Sequence, residues 1–227
     1  MNAHILDRPV WATLNGRQAG LAVRNGPAIR MRPDYGLFAA IPDDSAESLA
    51  ALGELVREMG PVGLVELAAP PPIPGTELVS SAVCLQMVAE TVAPAWDVSF
   101  DMLALGDADA AEMLALATLT KPGPFFARTH QLGAFIGVRI DGQLVAMAGK
   151  RMRPDGYTEA SGVCVHPDHR GQGYAARLLR EVTARILARG DKAFLHSYAD
   201  NATAIGLYES LGYRGRREVV FTVVRPA

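Results

Sequence analysis

Apolar residues recur along this chain in two rhythms, one near two residues and one near 3.6, which mark strands and helices in turn. Pro9 to Gln18 reads as a short helix. GLAVRNGPAIRMR follows as a hairpin, with Asn25-Gly26 accepting the positive φ of a tight turn. Leu37 to Ile41 is a strand candidate. Asp43, Asp44 and Ser45 are capping residues ahead of Leu49, Leu52, Leu55 and Val56, which recur at helical spacing. Val62 to Leu67 predicts a strand, the proline-rich stretch Ala69 to Gly75 a loop, and Leu78 to Met87 another strand.

The texture changes at Thr91-Val-Ala-Pro-Ala95, where we place a domain boundary, giving residues 1–95 and 96–227. Beyond it, Val98 to Leu103 predicts a strand and Asp107 to Thr118 a helix whose acidic opening suits the helix dipole. Lys121-Pro-Gly-Pro124 cannot continue that helix. FIGVRIDGQLVAMAGKRM reads as a hairpin turning at Asp141-Gly142. Tyr157 to Val165 is a strand, Gly173 to Ala188 a helix, Ala193 to Tyr198 a strand, Ala202 to Leu211 a helix, and Glu218 to Val224 a final strand. This alternation predicts an α/β (α+β) protein. The two halves share a loose hairpin–strand–helix–strand order, which fits either an old duplication or ordinary alternation.

Composition narrows the function classes. The 227 residues are about half apolar and one fifth charged, as in ordinary globular proteins. A net charge of −2 gives no global attraction for nucleic acid or anionic membrane, so any anion site must be local. Cys84 and Cys164 stand far apart, which disfavours a disulfide framework and favours a reducing compartment. No leader-like or membrane-spanning pattern is evident, and the cytoplasm is the expected location.

The informative stretch is Val163-Cys-Val-His-Pro-Asp-His-Arg-Gly-Gln-Gly-Tyr-Ala-Ala176. A strand ends, Pro167 stops its pairing, two glycines permit a tight turn, and a helix with an apolar face begins at once. Unpaired amides and partial positive charge at a helix start make a site for phosphate or pyrophosphate, and His169 and Arg170 add local charge.

This segment resembles motif A of the GCN5-related N-acetyltransferase (GNAT) superfamily, Arg/Gln-x-x-Gly-x-Gly/Ala, met here by Arg170, Gly173 and Ala175. The longer context, EASGVCVHPDHRGQGYAARLL and FLHSYADNATAIGLYESLGY, is similar to the FR47-like branch. The resemblance covers about Val98 to Val224. It implies a mixed, mostly antiparallel twisted sheet flanked by helices; no family is recognised before about Pro94, and from size alone the smaller N-terminal α/β domain is expected to pack beside the catalytic one and help form the acceptor cleft. The resemblance also implies acetyl-CoA as cosubstrate and a primary amine of a small molecule or peptide as acceptor. The pyrophosphate would lie on Arg170, Gly171, Gln172, Gly173, Tyr174 and Ala175. The pantetheine would run along the main chain of Val163 and Val165, in a gap where the strands near residues 163 and 195 part.

Amide formation from an amine and a thioester needs a proton acceptor and a proton donor. Glu159 matches the base of histone-type members, and burial in an apolar strand would raise its pKa into a useful range; an outward-facing Glu is the alternative, and a bulge would change its face. Tyr208 matches the general acid at the thiolate, or is a packed aromatic. Asn201 caps a helix, touches pantetheine, or does both. In these folds the segment holding Phe125, Phe126 and Arg128 shapes the acceptor pocket, with Arg128 suited to a carboxylate; helix-end packing with a solvated Arg is the alternative. His196 is core or acceptor wall. His166, Asp168 and His169 lack further ligands, so no metal is expected, and Cys164 reads as a small buried hydrophobe.

Gly171-Gln-Gly-Tyr-Ala-Ala176 also fits GxGxxA, but five residues, HPDHR, separate it from the strand, unlike a dinucleotide-binding turn. A non-catalytic acyl-CoA-binding module stays open, as does a homodimer.

Overall fold

The long apolar strands of both halves end up side by side. In the computed structural model, which describes residues 4–94 and 100–227, one eight-stranded sheet carries the molecule. Its strands are β4 (Val62–Glu66), β5 (Thr76–Ala89), β6 (Leu103–Leu105), β7 (Phe135–Ile140), β8 (Gln143–Lys150), β9 (Tyr157–Val165), β10 (Lys192–Tyr198) and β11 (Arg214–Pro226). They lie in the order β4-β11-β5-β10-β9-β8-β7-β6. Neighbours are antiparallel except β9 and β10, which run parallel. A small second sheet joins β1 (Ala22–Asn25), β2 (Ala28–Met31) and β3 (Ala39–Ala40).

The helices are α1 (Pro9–Asn15), α2 (Ala46–Met59), α3 (Ala110–Thr120), α4 (Tyr174–Leu187) and α5 (Ala202–Ser210). Ser45 caps α2, its hydroxyl accepting from the Ser48 amide. On α4, Leu178, Leu179, Val182 and Ile186 are all buried in one cluster with strand residues Ala146, Ala148 and Ala193. Burying each such side chain stabilises the fold by about 1.5–3 kcal/mol. None of the described helices is long and apolar enough to cross a membrane.

Differences from the expected elements have local causes. The first hairpin pairs Asn25 with Ala28, so its turn centres on Gly26-Pro27, one residue later than expected. The strand expected at Leu37 to Ile41 shrinks to Ala39–Ala40, plus a bridge from Phe38 to Gly63. β5 and β11 outgrow their expected bounds because they pair with each other along nearly their whole length. The strand expected from Val98 lies partly outside the described residues, at 98 and 99; the observed β6 begins at Leu103. The boundary at 95/96 also lies outside them. β4 and β5, from before it, share the large sheet with β10 and β11, from after it.

Candidate active site

The turn after β9 is built from main chain. Pro167–His169 form one 3-10 turn, and the His166 ring accepts the Asp168 amide through Nδ1, so that ring serves as a cap. Gly171 and Gly173 then take left-handed conformations, φ +78° and +79°, which side chains rarely adopt. α4 starts at Tyr174 with no side-chain cap, and the first helical bond belongs to the Arg177 amide. From Gly171 to Ala176 no amide makes a backbone hydrogen bond among the described residues. A methyl group added at either glycine would meet nothing within 4 Å. This open row of donors at a helix N-terminus suits a diphosphate.

A second device opens the sheet. β9 and β10 pair only from Tyr157 to Glu159 against Lys192 to Phe194. Beyond that, β9 carries an extra residue relative to β8 around Gly162, whose φ is +64°. Such a bulge bends its strand, and β9 and β10 part where the cofactor gap is expected. A cavity of about 390 Å³ fills the cradle end, touched by Val163, Val165 and Gly171 to Ala175. A second, of about 330 Å³, shares Thr120 and Val163 with it and continues past Asn201 and Tyr208 to His196 and Arg151.

The two tyrosines of this region differ in one decisive way. Tyr213 is fully buried and its hydroxyl pairs with Thr183 Oγ1 at 2.8 Å. Tyr208 packs edge-on against Tyr213, yet its hydroxyl has no partner among the described residues and its side chain lines the second cavity. Burial pushes the Tyr208 phenol above its usual pKa, so it stays protonated at neutral pH. Asn201 caps α5, its Oδ1 accepting from the Ala204 amide at 3.1 Å, and lines the same cavity.

Glu159 is fully buried and points to partners rather than solvent. Burial alone would raise its pKa, as expected from the sequence. The Arg151 guanidinium, gripping both oxygens at 2.8 Å, and His196 outweigh that cost and hold it at about 2. His196 is a cavity wall. Its Nδ1 lies 2.9 Å from Glu159 Oε1, and its Nε2 lies 3.0 Å from Gln86 Nε2. Gln86 Oε1 accepts from Arg216, which fixes the amide's orientation, and Gln86 Nε2 also donates to the Leu6 carbonyl. His196 Nε2 is therefore an acceptor and Nδ1 carries the proton. Asp7 in turn holds Arg216 at 2.6 Å. A partly buried polar line thus runs from Asp7 through Arg216, Gln86, His196 and Glu159 to Arg151.

Phe125, Phe126 and Arg128 lie outside both cavities. Phe125 packs edge-on against Phe135, and the Phe126 amide donates to Thr129. Arg128 is engaged by Asp34 and Gln131 and lies over the Tyr35 ring. The second cavity is lined on its apolar side by Pro122, Pro124, Phe38, Val65 and Phe221. Two permanent cations line this cavity, Lys121 and Arg151, the latter lying over the Phe38 ring at 4.6 Å. The sequence held a faint sign of the latter: Arg151 and Glu159 flank the Pro154-Asp155-Gly156 turn, so a hairpin sets them opposite one another. Arg170 is exposed beside the cradle. Cys84 and Cys164 are both free and buried, and burial pushes each thiol up to about 11.

Comparison with known proteins agrees with this geometry. The family model for FR47-like protein matches residues 135–222. A GNAT-family protein of Novosphingobium aromaticivorans is 47% identical, with a TM-score of 0.91 over 99% of this chain and 100% of that one. A GCN5-related N-acetyltransferase from Kribbella flavida shares the fold at 22% identity, with a TM-score of 0.64 over 95% of each chain. The N-alpha-acetyltransferase RimI of Mycobacterium tuberculosis is 37% identical over 84 residues, which is 35% of this chain and 51% of that protein, so the match spans about half the length of that curated relative. With its open amide turn, its parted strands and a full-length relative at this identity, the chain belongs to the GNAT family of acetyltransferases.

Proposed function

We propose that the protein transfers an acetyl group from acetyl-CoA to the primary amine of a small molecule or peptide. The observation that carries this reading is the row of unpaired amides at Gly171 to Ala176, opening onto a cavity that leads to the Tyr208 hydroxyl. When bound, acetyl-CoA supplies the thioester carbon that the amine attacks. Arg170, Gly171, Gln172, Gly173, Tyr174 and Ala175 would hold its diphosphate, and Val163, Val165 and Asn201 its pantetheine. Tyr208 gives its hydroxyl proton to the departing sulfur.

The base side falls to Glu159 acting with His196. A carboxylate held near pKa 2 accepts a proton poorly on its own, and Glu159 does not line the cavity, whereas His196 does. His196 Nε2 takes the ammonium proton as Gln86 gives up its contact, and the ionised Glu159 behind the ring balances the charge gained. Both carboxylate oxygens are already committed to Arg151, so the ring cannot swing without breaking the line of contacts.

The segment before residue 95 takes part in the acceptor cleft, since Phe38, Val65 and Cys84 line it. A peptide amine fits the likeness to an enzyme named for N-alpha acetylation. A reducing interior such as the cytoplasm suits the two free thiols.

Thiol release from acetyl-CoA over a panel of small amines and peptides tests the reading. Turnover with at least one amine is expected. Tight coenzyme A binding with no turnover on any amine favours the non-catalytic module, and absence of binding removes both.

A further inference from the structure

At the far end of α4 from the cradle, about 21 Å along the helix, lies a cavity of about 90 Å³ that the acetyl-transfer reading does not use. Lys150, the last residue of β8, is only 4% exposed and lines it. Its ammonium makes no hydrogen bond or salt bridge among the described residues. Arg153, from the β8–β9 connection, and Arg189, just past α4, line the same cavity, and their guanidinium groups are equally without partners among the described residues.

The one acid in the wall cannot balance them. Asp191 is taken by Arg17 at 2.9 and 3.1 Å and by Thr158 at 2.6 Å. Arg17 is itself spent on Asp191 and on the carbonyls of Arg153, Pro154 and Tyr157. The carbonyls ending α4 do not serve Lys150 either, since none accepts its ammonium. Gly133 makes room for the lysine stem: a methyl group there would come within 2.6 Å of Lys150 Cβ. A lysine only 4% exposed that shares a small cavity with two guanidinium groups, none with a partner among the described residues, is costly to keep charged unless an anion joins them.

We propose that this cavity binds a single phosphate group, held by Lys150, Arg153 and Arg189. Its volume admits one tetrahedral oxyanion and not a nucleotide. Guanidinium forks meet phosphate oxygens with two donors each, and the lysine supplies a point charge beneath. The ordinary pKa of Lys150 is depressed to about 8, by burial first and then by Arg189, Arg185 and Arg153, which is the strain that an added anion relieves. The site lies directly behind the cleft network, because Lys150 precedes Arg151 and Thr158 precedes Glu159.

Calorimetric titration of the full chain with inorganic phosphate, at constant ionic strength, tests this. Saturating coenzyme A is present throughout, so that the amide cradle contributes no heat. One saturable site is expected. Arg189→Gln and Arg153→Gln should each weaken it, and Lys150→Met should weaken it about tenfold, the worth of one charged hydrogen bond. Methyl phosphate binding as well as phosphate points to the end of a phosphate ester as the natural ligand; phosphate alone binding points to the free ion. Absence of a saturable heat, or undiminished affinity in the Arg153→Gln/Arg189→Gln double variant, overturns the proposal. That double variant keeps the test decisive if Lys150→Met does not fold.

Discussion

The polar line runs through Glu159 on β9 and the cradle follows the end of that strand, yet they are made in opposite ways. The cradle is local and built from backbone: Gly171, Gly173 and the first turn of α4 make it from one continuous stretch. The polar line is distributed and built from side chains: Asp7, Gln86, Arg151, Glu159, His196 and Arg216 come from six separate places. A local device survives inspection of the sequence because spacing alone specifies it. A distributed one does not, because its meaning depends on which strands become neighbours.

Substitutions can break this contrast. The largest effect is expected from Gly173→Asp, which sets a carboxylate in the cradle and forces a side chain onto φ +79°. Coenzyme A binding should disappear in calorimetry, while the strain costs the fold only about 1–3 kcal/mol. Unchanged affinity would place the diphosphate elsewhere.

In the polar line, Arg151→Met should cost about 3–5 kcal/mol by chemical denaturation, because it strands a buried carboxylate. Arg151→Met combined with Glu159→Leu should recover much of that loss; a double variant worse than the single would show that the pair is not the source. The same pair predicts acid sensitivity. Glu159 ordinarily titrates at 4.5 and is held at about 2 when folded. Its contribution, about 3 kcal/mol, is complete above pH 4.5 and drains away as pH falls toward 2. Stability measured across that range should fall more steeply in wild type than in the double variant, by about that amount, since Asp7, Asp109 and Asp191, also held below their usual range, titrate in both.

Smaller effects separate the two tyrosines. Tyr208→Phe should lower turnover about a hundredfold and leave coenzyme A affinity nearly unchanged; equal loss of both would mean packing rather than proton donation. Tyr213→Phe should cost about 1 kcal/mol of stability and spare turnover. Last, Arg128→Ala should leave the acceptor KM alone, since its contacts with Asp34, Gln131 and Tyr35 lie away from the cleft.

Much of the fold was legible. β9 and the spans of α4, β10 and α5 follow their periodicity to within a residue or two at each end, since each buries one regular face. The glycine turn and helix start after β9 were legible for the same local reason. What the sequence hid was long-range. Nothing in it says that β5 slots between β10 and β11, so Gln86 could not be seen beside His196. Burial was read correctly as a force that raises the Glu159 pKa, but its sign was reversed by a guanidinium eight residues upstream, across the strand connection. Phe125, Phe126 and Arg128 share a segment with Pro122 and Pro124, which line the second cavity while they do not, and only the packing against Phe135 and Asp34 separates them.

The slotting of β5 between β10 and β11 bears on how such a chain can be inherited and cut. Each half owns strands whose partners belong to the other, so neither 1–94 nor 100–227 made alone can close its ladders. Produced together as two separate polypeptides, they ought to seek each other out and reassemble. Reshuffled onto unrelated neighbours, each would carry a raw margin ready to clump.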